Sequence, residues 1–265
     1  MCALTVLTVL VPAYEAPLAA QSAASRLPDA ERFFAETQAN AVGSDRAGDR
    51  FAYTERRTEL HMNPFGRLGS GEVVAYRVTP SADGQTVERR LIERNGRPVA
   101  DAPVERSAVR RRPPGRRSSA ADVMAMLTFT MDRRDRLDGR DAIVVRFAPR
   151  PNASAQTRQG RLARAFTGLI WVDEAAREVV RVEATAHEDL SIGFGMIARV
   201  RRGATAVVTR ARVDATTWLP TSLTISGEGR AMLLRRLTLK HATEWLDYAR
   251  VTQPGGGQTE QEQQK

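Results

Sequence analysis

From residue 51 onward, apolar and polar residues alternate with a period of two over many short segments. Val74, Tyr76 and Val78 share one side of EVVAYRVT, and the same pattern recurs in AIVVRFA and TAVVTRARV. Such alternation predicts β-strands with one buried face. We count about ten such segments joined by short turns, and none alternates with a helical pattern as in a parallel α/β fold. The sequence therefore predicts a mainly β (α+β) fold of antiparallel strands.

Polar and flexible residues between the segments predict hairpins. The Asp-Gly pair in RLDGRD, between MLTFTMDRR and AIVVRFAPR, is typical of a two-residue type I′ turn. The polar stretch DEAARE predicts a second hairpin, in which Leu169 and Trp171 pair across to the face that carries Val180 and Val182.

Glycines mark the later turns. Gly203 separates IARVRR from TAVVTRARV, and Gly227 and Gly229 link TSLTIS to AMLLRRLTLKH. The segment EWLDYARV then closes the series as a further strand. No internal repeat of fixed period accompanies these segments, so we expect one continuous domain over residues 27–251.

Two short helices are predicted outside the strand pattern. The first begins at Pro28 and Asp29 and has Phe33 and Phe34 as its apolar side. The second is capped by Ser118 or Ser119 and runs through residues 122–127.

An arginine-rich insert, residues 104–120, precedes the second helix and is predicted to be a mobile loop. A solvated linker with no partner is the favoured interpretation of the insert, and contact with anionic lipid head groups or a partner protein is the functional alternative. It has no interleaved aromatic residues for base stacking, so we expect no nucleic-acid binding. The candidate contact residues are Arg110, Arg111, Arg112, Arg116 and Arg117.

The two ends differ from the body of the chain. Residues 1–20 contain an uncharged apolar run too short to span a bilayer, followed by small residues, and they predict a secretory signal peptide; a buried structural segment is the alternative. Residues 252–265 have no apolar anchor and predict a disordered tail. An exported, soluble, periplasmic protein follows from the signal.

Composition narrows the chemistry. The chain has 265 residues with 40 Lys and Arg against 31 Asp and Glu, a formal charge of +9, and all but Lys240 and Lys265 of the cations are Arg. The lone Cys2 excludes an intrachain disulfide and a cysteine-ligated metal cluster. The G-x-G-x-x-A match that starts at Gly193 continues into β-branched residues instead of a helix, which argues against dinucleotide binding. We expect no catalytic residues, no metal, no cofactor and no enzymatic activity.

Three segments carry a resemblance to a known group: GLIWVDEAAREVVRVEATA, DATTWLPTSLTISGEGRAMLLRRLTLKHATEWLDYARV and YRVTPSADGQTVERRLIERNGRPV. They resemble exported bacterial proteins of the LolA/LolB-like superfamily, which includes outer-membrane lipoprotein-sorting proteins and periplasmic regulators of the MucB/RseB type. The resemblance implies an incomplete, strongly curved antiparallel β-barrel whose open side is closed by helices over an apolar cavity.

The resemblance and the pattern together predict a non-enzymatic protein that binds lipid or carries acylated lipoprotein cargo. A periplasmic sensor or scaffold that binds a partner protein through a sheet edge or the arginine-rich insert is the alternative. The expected cavity residues are Tyr76, Phe129, Phe147, Trp171, Val182, Leu233, Leu237 and Trp245. The expected lid residues are Phe33, Phe34, Met124 and Leu127.

Overall fold

The computed structural model describes residues 26–59, 71–81, 85–108, 119–192, 198–231 and 235–251. Within these ranges, fourteen strands pair antiparallel in one large sheet that is not closed, accompanied by three helices. The predicted mainly β fold, an antiparallel sheet that is not closed with a few short helices, is confirmed, but the described sheet has fourteen strands where the pattern predicts about ten. The predicted signal peptide and C-terminal tail lie outside the described residues.

The helices are α1 (Ala30–Gly48), α2 (Ser119–Ala125) and α3 (Arg158–Ala163). The strands are β1 (Phe51–Glu59), β2 (Glu72–Pro80), β3 (Thr86–Arg94), β4 (Arg97–Pro98), β5 (Val104–Ala108), β6 (Leu127–Leu137), β7 (Arg140–Pro149), β8 (Phe166–Asp173), β9 (Val179–Ala186), β10 (Leu190–Ile192), β11 (Ala198–Val200), β12 (Thr205–Arg212), β13 (Trp218–Ala231) and β14 (Arg235–Arg250).

The C-terminal strands form the middle of the sheet. Its order is β4-β3-β2-β1-β14-β13-β12-β9-β8-β7-β6, with β5 also on β3 and the β10–β11 hairpin on the end of β13. One meander, β1 to β5, therefore lies on one side of the β12–β14 block, and a second meander, β6 to β9, lies on the other. Within the described residues, β12, β13 and β14 join the two meanders in one sheet.

Residues that tolerate a positive φ form the predicted turns. Asp138 and Gly139 have φ values of 50° and 79°, as a type I′ hairpin requires. Gly203 has a φ of 90° in the turn before β12. Asn95 and Gly96, at 50° and 76°, form a further turn of this kind between β3 and β4.

Two predicted turns differ in the structure. β13 continues straight through Gly227 and Gly229, which pair with residues of β14 as ordinary members of the ladder. β14 in turn joins LTLKH and EWLDYARV in a single strand, which passes through Asp247 at a φ of 54°. The glycines therefore extend a strand instead of ending it.

Helix α1 begins where the sequence predicts. The Asp29 side chain caps it by accepting a hydrogen bond of 3.0 Å from the Arg32 amide. Phe33 is 1% exposed and packs on Ile143, Val145 and Val172 of β7 and β8. We call the side of the sheet that carries these residues the helix face, and the other side the outer face.

Helices α2 and α3 are held together by one buried carboxylate. Asp122 is fully buried and accepts hydrogen bonds from the amides of Gln156 and Thr157 and from the Thr157 hydroxyl. Helix α2 ends at Ala125, two residues before the predicted end, and Leu127 is instead the first residue of β6. The predicted second helix is thus present but shorter.

The predicted loop 104–120 is also shorter than expected. Its first five residues form β5, which pairs with β3, and its last residues belong to α2. The remaining residues, 109–118, lie outside the described part of the chain. No helix in the described ranges is long and apolar enough to cross a membrane.

Candidate functional site: the helix face and the turn end of the sheet

One row of directly paired residues crosses most of the helix face. From β6 to β2 its members are Met131, Val145, Ile170, Val182, Val208, Leu223, Thr243, Arg57 and Val74. Directly paired residues project from the same face of a sheet, so the row is continuous. The row is apolar except for the hydroxyl of Thr243 and the guanidinium of Arg57.

Burial along this row is uneven. Val145 and Val74, towards its two ends, are 2% and 0% exposed. The four consecutive residues Ile170, Val182, Val208 and Leu223 are only half-buried. We call these four the central row. Apolar surface in contact with water costs about 25 cal/mol per Å², so a guest that covers the central row gains binding free energy.

Five of the predicted cavity residues lie on the helix face. Val182 belongs to the central row, and Phe129, Phe147, Tyr76 and Trp245 each lie two positions from a member of the full row. Phe147 is buried against Met126 and Leu127, whereas the other four are half-buried. Their role as ligand contacts stays a prediction.

Trp171 lies on the outer face, contrary to the prediction. Its Nε1 donates a hydrogen bond of 3.0 Å to Asp135, and its ring packs with Val144 and Val180. The pairing of β8 with β9 shifts by one residue beside Trp171, so Val180 joins it on the outer face while Val182 lies on the helix face. A single bulge therefore separates residues that strict alternation places together.

The remaining predicted cavity residues receive no side-chain description. Leu233 lies outside the described residues. Of Leu237 only the backbone is described, and it pairs with Gly229. All five arginines of the insert also lie outside the described ranges.

The predicted lid residues take different positions. Phe33 is buried between α1, to which it belongs, and the sheet. The ring centre of its neighbour Phe34 lies 6.4 Å from that of Phe129. Both therefore cover β6 to β8 of the helix face. Met124 is 36% exposed on α2, and Leu127 is buried within β6 rather than on a helix.

A charged cluster lies at the β1–β3 end of the helix face. The guanidinium carbon of Arg89 is 3.7 Å from the centre of the Tyr76 ring, and that of Arg57 is 5.1 Å from it. Glu55 accepts a hydrogen bond of 2.7 Å from Arg89 and one of 3.5 Å from Arg57. Cation–π contact and ion pairing hold the two guanidiniums beside the apolar row. This cluster is not predictable from the sequence, because TERRT and VERRL show no apolar alternation.

Clefts gather at the end of the sheet where three turns meet. These turns are residues 138–139, 174–178 and 213–217, and clefts of about 520, 410 and 480 Å³ lie among them. Trp218 borders the first and the third of these clefts. We call this region the turn end.

Buried polar groups connect α1 to the turn end. The Ser44 hydroxyl accepts a hydrogen bond of 3.1 Å from the Trp218 amide. Glu178 is 4% exposed, and its Oε2 has no hydrogen-bond partner in the described structure. Burial raises the pKa of Glu178, although the Ser44 hydrogen bond and the charge of Arg210 act in the opposite direction.

A second buried carboxylate at the turn end is fully satisfied. Asp173 accepts hydrogen bonds from the amides of Ala175 and Ala176 and forms an ion pair with Arg140. Burial raises the pKa of Asp173, but these bonds to its charged form outweigh burial and hold the pKa below its usual value. Asp173 is therefore an anion that fixes the Arg140 guanidinium.

The described structure combines an open sheet with helices on one face, a half-buried aliphatic row and clefts at one end. In the described ranges, no three side chains of His, Cys, Asp or Glu come close enough to hold a metal ion.

The chain was compared with protein-family models, curated proteins and solved structures. No family model and no curated protein matches the chain.

The chain is similar to several solved structures. One is a putative outer-membrane lipoprotein-sorting protein domain from Vibrio parahaemolyticus, at 10% identity, a TM-score of 0.38 and coverage of 85% of this chain and 93% of that one. A LolA superfamily protein from Nitrosomonas europaea matches at 12% identity and a TM-score of 0.35, with 82% and 93% covered. The MucA/MucB complex of Pseudomonas aeruginosa matches at 9% identity and a TM-score of 0.26, with 82% and 99% covered.

These structures carry the names of the group that the sequence resembles. The likeness is distant.

Proposed function

We propose that this protein is an exported, non-enzymatic binding protein that holds the acyl chain of a lipid or lipoprotein on the central row. The observation that carries the proposal is the half-buried state of four consecutive aliphatic residues on the face that also carries the helices. Their four strands are neighbours at spacings of about 4.8 Å, which gives a strip about 14 Å wide. An acyl chain is a ligand of matching shape and polarity.

The expected affinity comes from apolar burial. Each methylene transferred from water contributes about 0.8 kcal/mol, so six buried methylenes contribute about 5 kcal/mol before the cost of immobilising the ligand. Phe34, which is half-buried on α1 and lies against Phe129, is the aromatic residue placed to cover such a chain.

The polar end of the full row favours an acidic head group. Arg57 is itself a member of the row, and Arg89 lies beside it, while Glu55 neutralises one of the two charges. An amphiphile with its chain on the central row would direct a carboxylate or phosphate towards these guanidiniums.

Partner binding through a sheet edge is less favoured. Within the described residues β6 pairs only with β7, and it carries five consecutive charged residues, 132–136. Charged side chains on an edge strand oppose pairing with a further strand. Trp171 and Arg146 already engage two of these charges, Asp135 and Asp132.

The test compares two valines of β12. Val208→Asp places a charge in the central row, and Val207→Asp places the same charge at an adjacent, half-buried position on the outer face. We expect the wild type and Val207→Asp to bind a fluorescent C16 fatty acid saturably, and Val208→Asp to bind it at least tenfold more weakly. Circular dichroism establishes that both variants are folded. Equal affinities of the two variants, or no saturable binding by the wild type, would refute the proposal.

A further inference from the structure

We propose that the largest of the described turn-end clefts, of about 520 Å³, is a binding site for a phosphate group. It lies between the start of β7, the start of β9 and the end of β12, and its charged lining includes Arg140, Arg181 and Arg212. Three strands that are far apart in sequence thus bring three guanidiniums to one cleft. The two proposed sites share no residue, because none of the four members of the central row lines this cleft.

The lining of the cleft carries an excess of positive groups. Four arginines and two aspartates line it, a formal charge of +2 before the ion pairs of Arg181 with Glu183 and of Arg210 with Asp45 are counted. Asp173 is one of these aspartates; it forms an ion pair with Arg140 and accepts hydrogen bonds from two backbone amides. A phosphate monoester carries close to two negative charges at neutral pH. Its tetrahedral oxygens can accept from several guanidiniums at once.

The arginines differ in how much of their donor capacity is already used. Arg210 is 10% exposed and donates to the Trp218 carbonyl, so it is a structural residue. Arg140 and Arg181 are ion-paired with Asp173 and Glu183, and their side chains remain 47% and 32% exposed. Arg212 forms no ion pair with any carboxylate in the described residues, and it is the main anion-binding residue of the proposal.

The neutral part of the lining is already ordered. The hydroxyl of Thr209 is hydrogen-bonded to those of Thr221 and Ser222 at 3.0 and 2.6 Å. The Trp218 indole is 6% exposed, and the Arg140 guanidinium lies 5.1 Å from its ring centre. Hydroxyls and a fixed guanidinium beside a buried ring give a preorganised oxyanion site, which lowers the entropic cost of binding.

The test titrates inorganic phosphate into the full chain by calorimetry, with chloride keeping the ionic strength constant. We expect one saturable site, weakened about tenfold by Arg212→Gln. The matched control is Arg202→Gln, which removes the same charge from an exposed position just before β12 begins, whereas Arg212 ends that strand. This control should bind like the wild type. The titration contains no acyl chain, so failure of the acyl-chain proposal would leave this one intact.

A second arm distinguishes the source of the phosphate. Vesicles of phosphatidylcholine with one quarter phosphatidylglycerol are compared with vesicles of phosphatidylcholine alone. Binding only to the charged vesicles, weakened by Arg212→Gln and displaced by inorganic phosphate, identifies a lipid head group as the ligand. Binding to free phosphate alone identifies a soluble ligand. No saturable binding in either arm, or equal losses in Arg212→Gln and Arg202→Gln, overturns the proposal.

Discussion

The Ser44 hydroxyl on α1 donates a hydrogen bond of 2.7 Å to the buried Glu178 carboxylate, 134 residues further along the chain. The same hydroxyl accepts from the Trp218 amide. One small side chain therefore joins the C-terminal half of α1 to the turn 174–178 and to the first residue of β13. Phe33 anchors the other half of the helix through apolar packing.

Replacement of this hydroxyl should destabilise the fold. In Ser44→Ala, a buried carboxylate oxygen and a buried amide both lose their partner, which costs about 1 to 3 kcal/mol of unfolding free energy. Urea denaturation followed by circular dichroism measures the change. The control is Ser154→Ala at an exposed position, and equal stability of the two variants would contradict the structural role of Ser44.

Glu178 should make stability depend on pH in a defined direction. Because burial raises its pKa above the ordinary value of 4.5, the folded chain holds the proton to a higher pH than the unfolded chain. Its contribution to stability is complete below pH 4.5 and declines as the pH rises through the raised pKa. In Glu178→Gln this titration is absent.

The measurement is the unfolding free energy of the wild type and of Glu178→Gln between pH 4 and pH 8. We expect the wild type to lose stability relative to the variant as the pH rises from 4.5. Other carboxylates titrate in both proteins, so the difference isolates Glu178. A difference that is constant or rises with pH would be evidence against the raised pKa.

Two glycine substitutions should change stability in opposite directions. A Cβ at Gly160 would lie 2.2 Å from the Asp122 carboxylate that joins α2 to α3, so Gly160→Ala should cost about 2 kcal/mol. A Cβ at Gly43 meets nothing within 4 Å, and this residue lies inside α1. Gly43→Ala should therefore stabilise the protein by about 0.5 to 1 kcal/mol. Thermal and urea unfolding of the pair would show opposite shifts.

Neighbouring phenylalanines on α1 should differ in what they contribute. Phe33→Ala leaves a cavity among buried residues of β7 and β8 and should cost about 3 to 5 kcal/mol. Phe34 is only half-buried, so Phe34→Ala should cost about 1 to 2 kcal/mol. If Phe34 covers an acyl chain, its loss should weaken fatty-acid binding more than its effect on stability alone predicts. Equal stability losses would show that both rings belong to the core.

The turns were predictable because their chemistry is local. Few residue types adopt a positive φ as Asp138 and Gly139 do, so this residue pair indicates the hairpin in the sequence. β5 was not predictable in the same way. Its sequence, VERSA, has four exposed residues of five, and it is a strand because its backbone pairs with β3 at the sheet edge. An edge strand without a buried face leaves no apolar alternation.

The positions of the site residues depend on bulges and on the order of the strands, which the alternation of apolar and polar residues does not show. Strand periodicity places Val182 and Trp171 on the same side of a hairpin, and one bulge moves them to opposite faces. The phosphate-binding proposal joins Arg140 to Arg212, which belong to strands separated in the sheet by β8 and β9. Only the order of the strands brings these side chains to one cleft.

The position of β14 between β13 and β1 has a consequence for biogenesis. Phe51 pairs with Arg250, so the first strand of the sheet acquires its inner neighbour only when the last strand has been synthesised. Until then the two meanders are separate pieces with unpaired edges, and contacts of such long sequence separation form slowly. The sheet therefore cannot be completed before β14 has been synthesised, and β1 exposes an unpaired edge until then.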